Sequence, residues 1–111
     1  LWGDGSPLRE FLHVKDLAKA VLFSLENNLQ ESLFNLGSGE EISIIELANT
    51  VARIVGFNHS IIWDKSKPNG TPRKLLDSSK LSNLGWQPKI GLLEGIKSTY
   101  SWYINKNKKF E

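Results

Sequence analysis

Apolar residues recur along the chain in three stretches with helical spacing, separated by short apolar runs and turn-forming residues. Between Val14 and about Asn27, the positions Leu17, Ala18, Val21, Leu22 and Leu25 predict a first helix with one buried stripe. Between Ile44 and Val55, Ile44, Leu47, Ala48, Val51 and Val55 predict a second helix. Ser43 stands at its N-cap, Glu46 three residues on completes a capping box, and Gly56 ends the helix in a left-handed cap. A third stretch from about Leu92 to Asn105 places Leu93, Ile96, Tyr100 and Tyr103 on one buried face. A shorter helix is expected from Ser78 or Ser79 through Leu84, closed by Gly85, with Trp86 packing back over it.

The runs between these helices are short and extended in character. Glu10 to His13, Leu33 to Leu36, Ser60 to Trp63 and Arg73 to Asp77 each read as a brief strand, while Lys65 to Pro72 is a polar loop with two prolines and a glycine. Strands alternating with about four helices, without internal repeats, make the class α/β. So few short strands make a poor independent sheet, so some are expected to extend a larger sheet lying outside these residues. The opening Leu1-Trp2-Gly3-Asp4-Gly5 lacks an initiator Met and reads as the middle of a longer polypeptide. On that reading the isolated chain is only marginally stable, with strand edges and apolar helix faces uncovered.

Composition changes this picture little. A chain of 111 residues with 40% hydrophobic and 23% charged residues is one ordinary globular unit. The net charge is only +2, and Lys97, Lys106, Lys108 and Lys109 crowd the last helix and its end. Cations there complement the helix dipole, so no nucleic-acid partner is expected. The absence of Cys excludes disulfides and thiolate metal sites and fits a reducing, cytoplasmic setting. No apolar run is long enough to span a bilayer, so no membrane partner is expected.

The candidate chemistry is concentrated in loops. Gly37-Ser38-Gly39 follows an apolar run but lacks the third glycine, the prompt helix start and the later acidic residue of a dinucleotide fingerprint, so it reads as a turn. His13 and His59 stand alone, without Cys or carboxylates at ligand spacing, so no metal site is expected. His13 lies at a strand-to-helix joint, where a hydrogen-bonded structural role is the default. No serine sits in a nucleophile elbow. Arg9, Arg73 and Lys74 belong to extended segments rather than solvated helix faces, and a guanidinium with a neighbouring ammonium suits a phosphate. Ordinary surface salt bridges are the alternative. Trp2, in a glycine-rich loop, has a face suited to stacking on a purine or, equally, to plugging the loop onto the core.

The run from Trp2 through Ala18, Trp-Gly-Asp-Gly-Ser-Pro-Leu-Arg-Glu-Phe-Leu-His-Val-Lys-Asp-Leu-Ala, closely resembles the segment that opens the C-terminal region of GDP-L-fucose synthases, within the extended short-chain dehydrogenase/reductase family. Phe34 to Gly39, Lys67 to Asp77, Leu84-Gly85-Trp86 and Ser98-Thr99-Tyr100 continue the resemblance over nearly the whole chain. The runs Arg9 to Val14 and Asn35 to Gly39 resemble ones shared by many nucleotide-sugar epimerases and dehydratases, whereas Gly70 to Asp77, together with Trp2 before Arg9, is narrower. The resemblance implies that residues 1–111 are the GDP-sugar-binding C-terminal region of a larger enzyme, with most of the Rossmann core and the NADP-binding N-terminal domain absent. It further implies conversion of GDP-4-keto-6-deoxy-D-mannose to GDP-L-fucose by epimerisation at C3 and C5 and NADPH-dependent reduction at C4, in a homodimer. Trp2, Arg9, Asn69 and Lys74 match positions that contact the GDP-sugar, with Asn69 standing where the family often has Asp. Tyr100 and Tyr103 are followed four residues later by Ile104 and Asn107, not by the lysine of the family's Tyr-x-x-x-Lys pair, so no catalytic residue is assigned. Another nucleotide-sugar epimerase or dehydratase, or a non-catalytic sugar-nucleotide module, are the alternatives.

Overall fold

A computed structural model describes residues 1–27, 29 and 33–107. Seven elements follow one another: β1 (Leu8–Glu10), α1 (Val14–Glu26), β2 (Glu41–Ser43), α2 (Ile44–Val55), β3 (Arg73–Lys74), α3 (Ser79–Asn83) and α4 (Leu92–Asn107). The three strands form one sheet in the order β2-β1-β3. β1 pairs antiparallel with β2, Arg9 opposite Ile42, and parallel with β3, Arg9 opposite Lys74. This is the α/β class with four helices that the pattern predicts.

Helix ends form where the side chains supply the missing partners. Ser43 accepts from the Glu46 amide and Glu46 accepts from the Ser43 amide, the reciprocal capping box, and Gly56 closes α2 at φ 73°. A side chain at Gly56 meets the left-handed penalty that glycine avoids. His13 caps α1 through Nδ1, which accepts from the Lys15 amide, while Nε2 lies 3.1 Å from Ser98 Oγ on α4. The structural role expected of His13 is thus met by two hydrogen bonds.

The core is small. Ala20, Leu81 and Trp86 are its buried apolar residues, with Leu12, Phe23, Leu29, Phe34 and Leu36 packed around them. Trp86 does pack back over α3. Buried among them is one charge, Asp16, whose Oδ2 accepts from the amides of Lys89 and Ile90 at 3.0 and 2.8 Å. A carboxylate removed from water needs such donors.

Four expectations are corrected. The predicted stripe of α1 is turned outward: Leu17, Val21, Leu22 and Leu25 are exposed, and the face that packs is Asp16 and Ala20. Ala20 is small enough for the Leu81 and Trp86 side chains to approach the helix closely, and Asp16 finds its two amides on that side only. On α4, Ile96 and Tyr100 are half-buried but Leu93 and Tyr103 are exposed. Leu33 to Leu36 forms no strand, because no strand of the described residues runs beside it; Asn35 instead donates to the Asp77 carbonyl. Ser60 to Trp63 is likewise irregular, and pairing is limited to a parallel bridge between Trp2 and Asp64. In the other direction, β2 was not anticipated as a strand. Lys108 and Lys109 lie outside the described residues.

The accessible surface is 8407 Å² and the radius of gyration 17.0 Å. A compact monomer of this mass exposes about 6,200 Å², with a radius near about 13 Å. Exposed apolar side chains on α1 (Val14, Leu17, Val21, Leu22, Leu25) and α4 (Leu93, Trp102, Tyr103) contribute to this surface.

Candidate nucleotide-sugar grip

The loop carrying Trp2 is stitched to residues 62–64 by backbone bonds: Leu1 donates to Ile62, Asp64 to Leu1, and Gly3 to Asp64, at 2.6, 2.7 and 2.9 Å. Gly5 lies buried at φ 79° between the Trp63 ring and Ile45, and its carbonyl accepts from the Ile45 amide at the start of α2. With its backbone fixed on both sides, Trp2 presents an indole that is 73% exposed. A tryptophan so exposed is not plugged into the core, and the face of its ring is left open. Lys67 Nζ stands 5.9 Å from the ring centroid.

Asn69 joins the same loop. Its Oδ1 accepts from the Asp4 amide at 2.8 Å, its Nδ2 reaches Ser6 Oγ at 3.4 Å, and Oδ1 abuts Gly3. Asp4 in turn accepts from the Ser6 amide at 2.8 Å. Chiefly that bond, with further hydrogen bonds from Ser6 and Asn69, lowers the Asp4 pKa to about 2. Much of Asn69's hydrogen-bonding capacity is therefore spent on holding the loop.

Arg9 and Lys74 come together through the β1–β3 register. Partners in a ladder share a face, so the two cations project to the same side of the sheet. Arg9 is half-buried, its Nη1 donates to its neighbour's carbonyl at Leu8, and its Nη2 lies by Gly70. Lys74 is exposed. Arg73, one residue earlier, points to the opposite face and donates through Nε and Nη2 to Glu41 at 2.7 and 2.6 Å. That fork lowers the Glu41 pKa and raises that of Arg73. Of the three cations in extended segments, Arg73 is thus paired with Glu41, while Arg9 and Lys74 share the other face.

The Gly37-Ser38-Gly39 turn does not fit a dinucleotide pyrophosphate. Glu10 fills the space beside Gly37 and accepts from the Gly39 amide at 3.1 Å, with its other oxygen accepting from Leu76 at 2.8 Å. A carboxylate already occupies the place where a phosphate needs free amides. Glu10 and Asp16 are clamps that motif spacing does not reveal, because their partners are backbone amides distant in sequence.

Two concavities lie elsewhere. A cleft of about 690 Å³ runs between α2 and residues 88–92, with both signs of charge in its walls, including Glu40, Glu46, Arg53 and Lys89. A shallower groove of about 520 Å³ between α2 and α4 is mainly apolar. Neither is lined by Trp2, Arg9, Asn69 or Lys74. Among the described residues, no group of His, Cys, Asp or Glu is arranged to hold a metal, and no helix is long and apolar enough to cross a membrane.

A model of the NAD dependent epimerase/dehydratase family matches residues 1–37. The chain is 55% identical over 104 residues to a probable GDP-L-fucose synthase 1 of Oryza sativa, covering 94% of this chain and 32% of that protein. It is 44% identical over 119 residues to the GDP-L-fucose synthase of Escherichia coli, covering 99% and 37% respectively. Among solved structures, a GDP-6-OMe-4-keto-L-xylo-heptose reductase from C. jejuni matches with a TM-score of 0.86 at 37% identity, over 96% of this chain and 33% of that one. A GDP-L-fucose synthetase from Naegleria fowleri, bound to NADP, matches with a TM-score of 0.86 at 27% identity, over 97% and 35%. The chain spans about a third of the length of these relatives. Along nearly its whole length, in sequence and in fold, the chain is similar to the C-terminal part of GDP-L-fucose synthases, and its first 37 residues match the NAD dependent epimerase/dehydratase family.

Proposed function

We propose that residues 1–111 form the GDP-sugar half of a GDP-L-fucose synthase active site, with Trp2, Arg9, Asn69 and Lys74 as its grip. The observation that carries this reading is the register pairing of Arg9 with Lys74, which aims two cations to one side of the sheet. A guanidinium binds a diphosphate through parallel hydrogen bonds, and an ammonium beside it adds charge that discriminates little by geometry. The exposed face of Trp2 suits the guanine base, and Asn69 keeps the loop beneath it in place while retaining donor capacity toward a hydroxyl.

On this reading the complete enzyme, a cytoplasmic homodimer, epimerises GDP-4-keto-6-deoxy-D-mannose at C3 and C5 and reduces it at C4. NADPH, held by a domain outside these residues, supplies the hydride. This chain's own contribution is to bind and orient, and alone it is inactive. The uncovered apolar faces of α1 and α4 support a further body of protein against them, since contiguous exposed apolar surface marks an interaction face.

Calorimetry of GDP-sugar binding to the natural protein that carries this chain tests the assignment. Arg9→Ala is expected to weaken binding by about 1.5–3 kcal/mol, the worth of a hydrogen bond to a charged group, and Lys74→Ala by less. Unchanged affinity in both variants rules the grip out.

A further inference from the structure

We propose that Asn69-Gly70 is a self-modification site: the Gly70 nitrogen closes on the Asn69 side chain, ammonia leaves, and the isoaspartyl product that follows lets go of the Trp2 loop. The covalent step stands on the geometry of the loop, whereas its effect on a ligand rests on the nucleotide-sugar reading given above.

Asn69-Gly70 is the single Asn-Gly pair of the chain, and both residues are exposed. Gly70 sits at φ 76°, and a Cβ placed on it meets only Arg9 Nη2, at 3.9 Å, so the space beside it is open. Among the described residues the Gly70 amide donates to no acceptor, so a base removes its proton without first breaking a hydrogen bond. The carbon it attacks is prepared from the other side. Asn69 Oδ1 accepts from the Asp4 amide at 2.8 Å, and a backbone N–H so placed stabilises the negative charge that collects on this oxygen during attack at Cγ. Nδ2, the leaving nitrogen, is kept only by a 3.4 Å contact to Ser6 Oγ, which is long for a hydrogen bond and sets a hydroxyl proton beside it.

The Gly70 nitrogen, its proton removed, forms a bond to Asn69 Cγ; the Cγ–Nδ2 bond breaks and ammonia departs with a proton, leaving a five-membered imide. Water then opens the imide at either carbonyl. Opening at Cγ gives aspartate with the ordinary backbone, and its carboxylate still faces the Asp4 amide. Opening at the main-chain carbonyl runs the backbone through Cγ, which lengthens it by one methylene and leaves the free carboxylate on Cα. The tether from Asn69 to Asp4 and Ser6 is then lost, together with the packing of its Oδ1 against Gly3, the neighbour of Trp2. Asp4-Gly5 has the same spacing and a different fate. Gly5 is buried between Trp63 and Ile45, and the Asp4 carboxylate, with its pKa lowered to about 2, is ionised and a poor electrophile.

Peptide mapping of the natural protein carrying this chain, after incubation at mildly alkaline and at mildly acidic pH, tests the covalent step. The peptide holding Asn69 should gain the mass of an amide-to-acid conversion, faster at the higher pH, and enzymatic methylation should mark isoaspartate there and none at Asp4. The native protein should react about fivefold faster than the same protein in denaturant, the worth of one hydrogen bond to the developing oxyanion. Asn69→Gln, which cannot close a five-membered ring, should gain no mass over the same time. A native rate below the denatured rate, or isoaspartate at Asp4 and none at Asn69, overturns the proposal. Calorimetry with a GDP-sugar reads the effect on the loop. Affinity should fall as isoaspartate accumulates and return on treatment with an isoaspartyl methyltransferase and its methyl donor, while Asn69→Gln shows no decline with time. Undiminished affinity in protein rich in isoaspartate refutes the release of the loop. If fresh wild type binds no GDP-sugar, the nucleotide-sugar reading falls and the ligand effect with it, while the mass measurement still decides the covalent step.

Discussion

Replacing Asp16 with Ala should release the segment at Lys89 and Ile90 from α1. One carboxylate oxygen, on a residue only 1% exposed, accepts both amides. Truncation leaves two partly buried donors without partners, at about 1–3 kcal/mol each. Taking about 1.5 kcal/mol for each gives about 3 kcal/mol, and with every 1.4 kcal/mol a factor of ten, exchange at these amides should accelerate roughly a hundredfold. Asp16→Asn keeps an oxygen with two lone pairs but loses the charge, so its effect should be about tenfold at most. Native-state amide hydrogen exchange, read at Lys89 and Ile90 with Gly56 at the end of α2 as a distant control, measures this local opening directly. The reasoning is refuted if Lys89 and Ile90 exchange at wild-type rates in Asp16→Ala, or if Asn and Ala behave alike.

Two further perturbations probe the Trp2 loop. Gly5→Ala should destabilise the protein by about 2–4 kcal/mol in denaturant titrations, through the left-handed backbone and overpacking together, because a Cβ there stands 2.7 Å from the Trp63 ring and 2.8 Å from Ile45 at φ 79°; an unchanged midpoint contradicts the packing described. Asp4 has a folded pKa of about 2 against an ordinary 3.8, lowered chiefly by the Ser6 amide. A depressed carboxylate pKa contributes stability that is complete above about pH 4 and is lost as pH falls toward about 2. The Ser6 amide resonance should therefore titrate with a midpoint near 2, and Asp4→Asn should abolish that titration; a midpoint near 4 shows the contact is absent in solution.

Much of the fold was legible because it is local. The capping box of Ser43 and Glu46, the glycine cap at Gly56, the short helix closed by Gly85 and the place of His13 at the joint before α1 each depend on residues within four positions of one another. Strands were less legible, since Leu33 to Leu36 has the composition of a strand but needs a neighbour that the described residues do not provide. The grip was only half readable. Motif resemblance brought out Trp2, Arg9, Asn69 and Lys74, but nothing in their spacing separated Lys74 from Arg73, whose side chain turns to the other face and is taken up by Glu41.

By itself, then, the amino-acid sequence determined the helices, their ends and the family resemblance, all of which follow from short-range spacing. Tertiary structure alone decided which face of α1 is buried, that Arg73 is taken up by Glu41 while Arg9 and Lys74 share the other face, and that Glu10 and Asp16 serve as clamps. The physical reason is that these outcomes depend on partners brought together by the chain's path: Asp16 meets amides 73 and 74 residues away, and Glu10 meets one 66 residues away. Hydrophobic periodicity shows that a helix has an apolar side, but not what will lie against it.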